Sequence, residues 1–119
     1  MIGSLGRIVL LRRFTSLVGA NDFTTLPWAA AAYSTGTVRL WRGELQGTSS
    51  PTFRVYIETS SDRIVWVSQY APGYDPGANQ SVSITIDLAQ RWLRAKVTLT
   101  GTDPAVTCWC SGTMESRVR

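Results

Sequence analysis

The chain has 119 residues and a mass of 13.1 kDa, which is enough for one domain with one core and too little for two. Apolar residues make up 44% and charged residues only 17%, a balance that excludes both a disordered tail and a membrane span. Twelve basic residues against eight acidic ones give a net charge of +4, and the absence of His removes the commonest general base and the commonest transition-metal ligand.

In chain order, the apolar run Ile8-Val9-Leu10-Leu11 is closed by Arg12-Arg13 and is too short for the hydrophobic region of an export signal. Arg7 to Leu17 reads either as an edge strand or as an arm outside the domain, so residues 1–20 are set apart from a β-domain over 21–119. Leu26 to Tyr33 contains four consecutive alanines after Pro27, a local helix signal. A strand is preferred there because its neighbours are strands. Thr37 to Leu45 reads as a strand, and Gln46 to Pro51 as a turn. Phe53, Val55, Ile57 and Thr59 then alternate with Arg54, Tyr56 and Glu58, and Ser60-Ser61-Asp62 marks a turn before a further strand over Arg63 to Gln69.

Pro72 to Gly77 is the longest irregular stretch. After it comes the clearest alternation: Val82, Ile84, Ile86 and Leu88 share one face, with Ser83, Thr85 and Asp87 on the other. Leu93, Ala95, Val97 and Leu99 repeat the pattern against Arg94, Lys96 and Thr98. The short connection from Leu88 to Trp92 keeps the apolar faces in phase, which is consistent with a hairpin. Val106 to Met114 reads as a final strand with Cys108 and Cys110 on one side and Trp109 on the other. About eight short strands with frequent turn signals predict an all-β antiparallel sandwich or barrel.

The basic residues are almost all Arg, with Lys96 the only Lys, and they are scattered rather than run together. A phosphate-tracking stripe is therefore missing, and direct nucleic-acid binding is not expected. Side chains at i and i+2 of a strand run parallel, so a Cys108–Cys110 disulfide would distort the backbone; both read as small buried hydrophobes. Without a base beside a nucleophile, a pair among Glu44, Glu58, Asp62, Asp75 and Asp87 that stands out, or a phosphate-cradling glycine loop, the chain is not expected to be an enzyme. No cofactor or metal is expected either.

Binding surfaces are the better reading. Five tryptophans in so small a domain point to packing and contact roles. Trp66 is expected in the core or capping its end. Trp92 shares the polar parity of Arg94 and Lys96, so either the three form an outward trio suited to a protein partner or Trp92 turns inward at the strand's start.

Two stretches carry a family resemblance. Val55 to Trp66, a strand followed by Ser60-Ser61-Asp62 and then a Trp, resembles jelly-roll modules of the discoidin and carbohydrate-binding type, with Arg63 where a Gly usually completes the turn. Arg91-Trp92-Leu93-Arg94-Ala95-Lys96-Val97 is similar to their late aromatic-x-Arg-x-x-Val strand. The whole chain also resembles the small, His-poor, Ser/Thr-rich jelly-roll proteins of tailed-phage virions, including capsid decoration (cement) and minor capsid proteins. That resemblance implies an antiparallel jelly-roll β-sandwich of about eight strands. It implies a non-enzymatic virion protein, made in the host cytoplasm, that binds and stabilises an assembled capsid. Its partners would be the major capsid protein or other virion subunits, in multiple copies on a symmetric shell or as a homo-oligomer, with neither nucleic acid nor membrane. Arg7, Ile8, Leu10, Arg12, Arg13 and Phe14 are the expected contact set, with Trp92, Arg94 and Lys96 as a second. A carbohydrate-binding module using Trp41, Tyr70 and Tyr74, and a tail or neck component, are the alternatives.

Overall fold

The structure, a computed structural model, describes residues 5–116. The strands in chain order are β1 (Leu5–Val18), β2 (Asn21–Thr24), β3 (Trp28–Ala29), β4 (Tyr33–Arg42), β5 (Gln46–Ser60), β6 (Val67–Ser68), β7 (Gln80–Asp87) and β8 (Trp92–Ser116). No helix occurs among the described residues, so none is long and apolar enough to cross a membrane. All pairings between strands are antiparallel and belong to one sheet.

β8 organises that sheet. Along one edge it pairs in turn with β1, β2 and β3; along the other it pairs with β4 and then β5. The chain therefore forms a three-ribbon band, with residues 5–29 and 33–60 flanking residues 92–116. Fully extended, the 25 residues of β8 would span about 80 Å. Yet its two ends meet: Leu93 pairs with Trp28, Ser116 pairs with Tyr33, and the Trp28 and Tyr33 rings stack with centroids 5.3 Å apart. The band is doubled over, and its two halves pack their inner faces together.

All three ribbons bend at the same level. Gly19, Gly47 and Gly101 lie there with φ of 100°, 124° and 111°, values that L side chains rarely adopt. The Gly19 N–H donates to the Pro104 carbonyl at 2.8 Å, locking the first ribbon to the bend of β8. Across the bend the inward parity changes: Leu93, Ala95, Val97 and Leu99 are buried before it, and Val106, Cys108, Cys110 and Met114 after it. Strands that pass from one layer to another turn such corners with a bulge. The core joins Phe53, Val55 and Ile57 of β5 to Val38 and Leu40 of β4, Ile84 and Ile86 of β7, and Ile8 of β1. Burial pushes the Cys108 and Cys110 thiols up to about 11 and about 12, the charge of Cys108 adding to the second, so both remain neutral core groups.

Several sequence expectations are corrected. β7 does not form a hairpin with β8; it pairs with β4, and residues 88–91 cross from one layer to the other. Of the segment Leu26–Tyr33 only Trp28 and Ala29, with Tyr33 as the first residue of β4, are strand. The Tyr33 N–H then donates to the Ala30 carbonyl at 3.0 Å and reverses the chain. Of Arg63–Gln69 only Val67–Ser68 is strand. Asp62 is the cause: its Oδ1 accepts the Ile64 and Val65 N–H groups at 2.8 and 3.0 Å, while the Ser60 hydroxyl accepts those of Asp62 and Arg63. Arg63 stands at φ 67°, so it takes the left-handed conformation that the resemblance assigns to a Gly.

If the band folds at its glycine level, Gly101→Ala should be the costlier of two matched changes. A Cβ there would stand 2.8 Å from the Pro51 Cα and 3.0 Å from the Thr48 carbonyl oxygen, whereas nothing lies within 4 Å of one at Gly19. Chemical denaturation is expected to show a loss on the order of 3 kcal/mol for Gly101→Ala and about 1 kcal/mol for Gly19→Ala.

Candidate docking surface

Alternation in β1, β8, β4 and β7 leaves their second set of side chains on the outside of one layer, and register sorts these into rows. Arg7, Thr113, Thr37 and Thr85 form one row; Val9, Ser111, Arg39 and Ser83 form the next. The third holds Trp109, Trp41 and Ser81. Opposite Trp109, β1 is irregular: its register shifts between Val9 and Leu11 and again between Leu11 and Thr15, and Phe14 has φ 60°. The extra residues carry Arg13 and Phe14 over the face. Trp41 and Trp109 stack with centroids 6.5 Å apart, Phe14 meets Trp41 edge-on at 5.9 Å, and the Arg13 guanidinium lies 4.6 Å from the Trp109 ring.

Beside this cluster runs an open groove of about 630 Å³ lined by Arg7, Arg12, Arg13 and Arg39 with Val9, Trp109 and Ser111. Among the described residues, none of these four arginines has a carboxylate within ion-pair distance. The outside of the other layer is the opposite case. Trp92, Arg94 and Lys96 share its outer parity with Tyr56 and Glu58, but they are engaged within the protein. Arg94 donates to Glu58 at 2.8 Å, Lys96 stands 3.6 Å from the same carboxylate, and the Glu58 side chain is only 6% exposed. Arg63 covers Trp92 at 4.6 Å, Arg94 covers Trp66 at 4.2 Å and Lys96 covers Tyr56 at 5.0 Å. Trp66 is therefore a half-buried member of this outer ladder and not a core residue. Trp92 takes the outward of its two expected positions, with Leu93 buried beside it.

The expected residues consequently divide. Arg7, Arg12, Arg13 and Phe14 are exposed on one face, Leu10 is half-buried, and Ile8 is buried in the core. All six belong to β1, whose pairing with β8 runs from Leu5 to Val18. Of the three aromatic residues considered for sugar stacking, Trp41 is taken up by Phe14 and Trp109, and Tyr70 packs on Tyr74 at 4.9 Å. Tyr74 is tied to β5 by exchanging backbone hydrogen bonds with Val55. Arg39 and Trp109, central to the groove, escaped sequence reading. The parity of Arg39 with Thr37 and Trp41 was the available signal, but nothing local placed β4 beside β8.

The loop containing Tyr74 is latched to the end of β4. Buried Arg42 donates from its Nε to Asp75 Oδ1 at 2.7 Å and from a second nitrogen to Oδ2 at 3.4 Å. Burial raises the Asp75 carboxyl, but the Arg42 hydrogen bond, the Gly77 N–H and the charges of Arg42 and Arg54 outweigh it and hold the group below its ordinary value.

No protein-family model matches the chain, and no curated protein matches it. Among solved structures, the chain is similar to one from the cyanophage Pam1 capsid asymmetric unit, with a TM-score of 0.53 and 10% identity over 98% of this chain and 87% of that one. That likeness is one of fold.

The two faces should respond differently to mutation. Glu58→Ala strands two cations and is expected to cost about 3 kcal/mol in urea denaturation. Arg39→Ala removes an exposed, unpaired cation and should change stability by no more than about 0.5 kcal/mol. For the latch, Asp75 is depressed in the native state, so its contribution is complete above the ordinary value of 3.8 and is lost as pH falls through the native one. Stability measured against pH should accordingly show the advantage of the parent chain over Asp75→Asn disappearing at the acid end.

Proposed function

We propose that this chain is a non-enzymatic structural protein of a phage virion that attaches to assembled capsid subunits, as a decoration or minor capsid protein of jelly-roll kinship. The observation that carries the reading is the fold likeness to a capsid chain over nearly the full length of both. The surface chemistry fits it. A face that exposes Phe14 and arginines with no carboxylate partner among the described residues, over a half-buried Trp41 and a buried Trp109, has the composition of a protein interface, where Arg and aromatic residues anchor contacts. Among the described residues, no three His, Cys, Asp or Glu side chains gather where they could hold a metal, and the groove carries no carboxylate lining. Attachment needs no chemistry beyond that face on a preformed body.

Quantitative mass spectrometry of purified particles from the source tests the assignment. The chain is expected in hundreds of copies per particle, as shell decoration requires. About a dozen copies would move it to a neck or tail ring, and absence from particles would overturn the virion reading.

A further inference from the structure

We infer that the groove on the outer face of β1, β8 and β4 is a docking site for an acidic, extended segment of a partner protein, whose carboxylates are received by Arg7, Arg12, Arg13 and Arg39. This rests on the virion reading only for the partner's whereabouts; the chemistry of the groove stands by itself. Three strands bring the four guanidinium groups together, although no two of them except Arg12 and Arg13 are adjacent in sequence. Elsewhere the protein neutralises its inward or half-buried cations: Arg42 has Asp75, while Arg94 and Lys96 share Glu58. The groove is where that neutralisation stops. Along the same face the acidic groups Glu115 and Asp87 lie in the row beyond Thr113 and Thr37, and Glu115 accepts a hydrogen bond from the Thr35 hydroxyl at 3.4 Å.

Four guanidinium groups around Val9 and Trp109, with no carboxylate partner among the described residues, call for a ligand with several carboxylates on a partly apolar backbone, because each fork can hold a carboxylate with two parallel hydrogen bonds. Ser111 and Thr113 on the groove floor can bond the segment's remaining polar groups. A single-stranded nucleic acid would also bring negative charge, but it binds by stacking bases on open aromatic faces. Here Arg13 lies over Trp109 and Trp109 is stacked on Trp41, so the rings are already occupied. An acidic protein segment is the occupant that the geometry favours.

The test uses the full chain and a fluorescein-labelled oligoglutamate peptide, read by fluorescence polarisation, beside a labelled single-stranded oligothymidylate. Arg7→Gln with Arg39→Gln is compared with Arg54→Gln with Arg91→Gln, which removes the same charge from exposed sites outside the groove. Unchanged thermal melting confirms that each variant is folded. The expected result is saturable oligoglutamate binding that weakens with salt and falls about tenfold or more in the first pair but less than about twofold in the second. Equal losses in both pairs would overturn the inference in favour of bulk charge alone, and no binding by the parent chain would overturn it outright. Tighter oligothymidylate binding through the same arginines would overturn it in favour of nucleic acid. Incorporation into particles is scored separately. A chain that binds oligoglutamate but is absent from particles defeats the virion reading and keeps the groove, whereas undiminished incorporation of Arg7→Gln/Arg39→Gln together with lost peptide binding refutes this groove as the virion contact.

Discussion

The doubling of β8 upon itself is the constraint from which the rest of the structure follows. One strand of 25 residues supplies the hydrogen-bonding partner for β1, β2, β3, β4 and β5, so where it bends they must bend, and Gly19, Gly47 and Gly101, all with positive φ, sit where they do. A straight band would expose one apolar face of every strand to water. Folding it at Gly19, Gly47 and Gly101 brings those faces together, and burial of the resulting core is the dominant stabilising term.

That arrangement also gives the two outer surfaces different chemistry. On the β5 side of the fold, cations and rings are consumed internally around Glu58, and the outside behaves as a second, polar layer of packing. On the β4 side, the irregular stretch of β1 lifts Arg13 and Phe14 over the tryptophan pair, and the groove arginines have no carboxylate within ion-pair distance among the described residues. Similar residue types thus have opposite surroundings, and what distinguishes them is whether a carboxylate occupies the neighbouring cross-strand position.

Much of this was legible in the sequence. Period-two alternation marks β5, β7 and both halves of β8, because each has one dry face and one wet face. The continuity of β8 was not legible, since Gly101-Thr102-Asp103-Pro104 reads locally as a turn and the inward parity changes across it. The partners of β7 were hidden for a related reason: phase relates a strand to a face, but it does not say which strand lies beside it. Within the candidate site, Arg12, Arg13 and Phe14 stood out as a cluster along the chain. Arg39 and Trp109 did not, because their meeting depends on pairings between β1, β4 and β8 that are remote in sequence. Trp92, Arg94 and Lys96 were visible as a face, but Glu58 had to be placed opposite Arg94 before that face could be recognised as neutralised.

The central place of β8 has a consequence for how the chain is made. On the ribosome, β1, β2 and β3 emerge long before residues 92–116, the only strand with which they pair, and β4 and β5 have only β7 and β6 as interim companions. Biosynthesis therefore leaves most of the apolar surface unpaired until residues 92–116 have been translated, and cooperative structure arrives late and at once. Such contact order favours slow maturation and early vulnerability to aggregation, so a nascent chain stalled before Trp92 should be a client for chaperones rather than a partly formed domain.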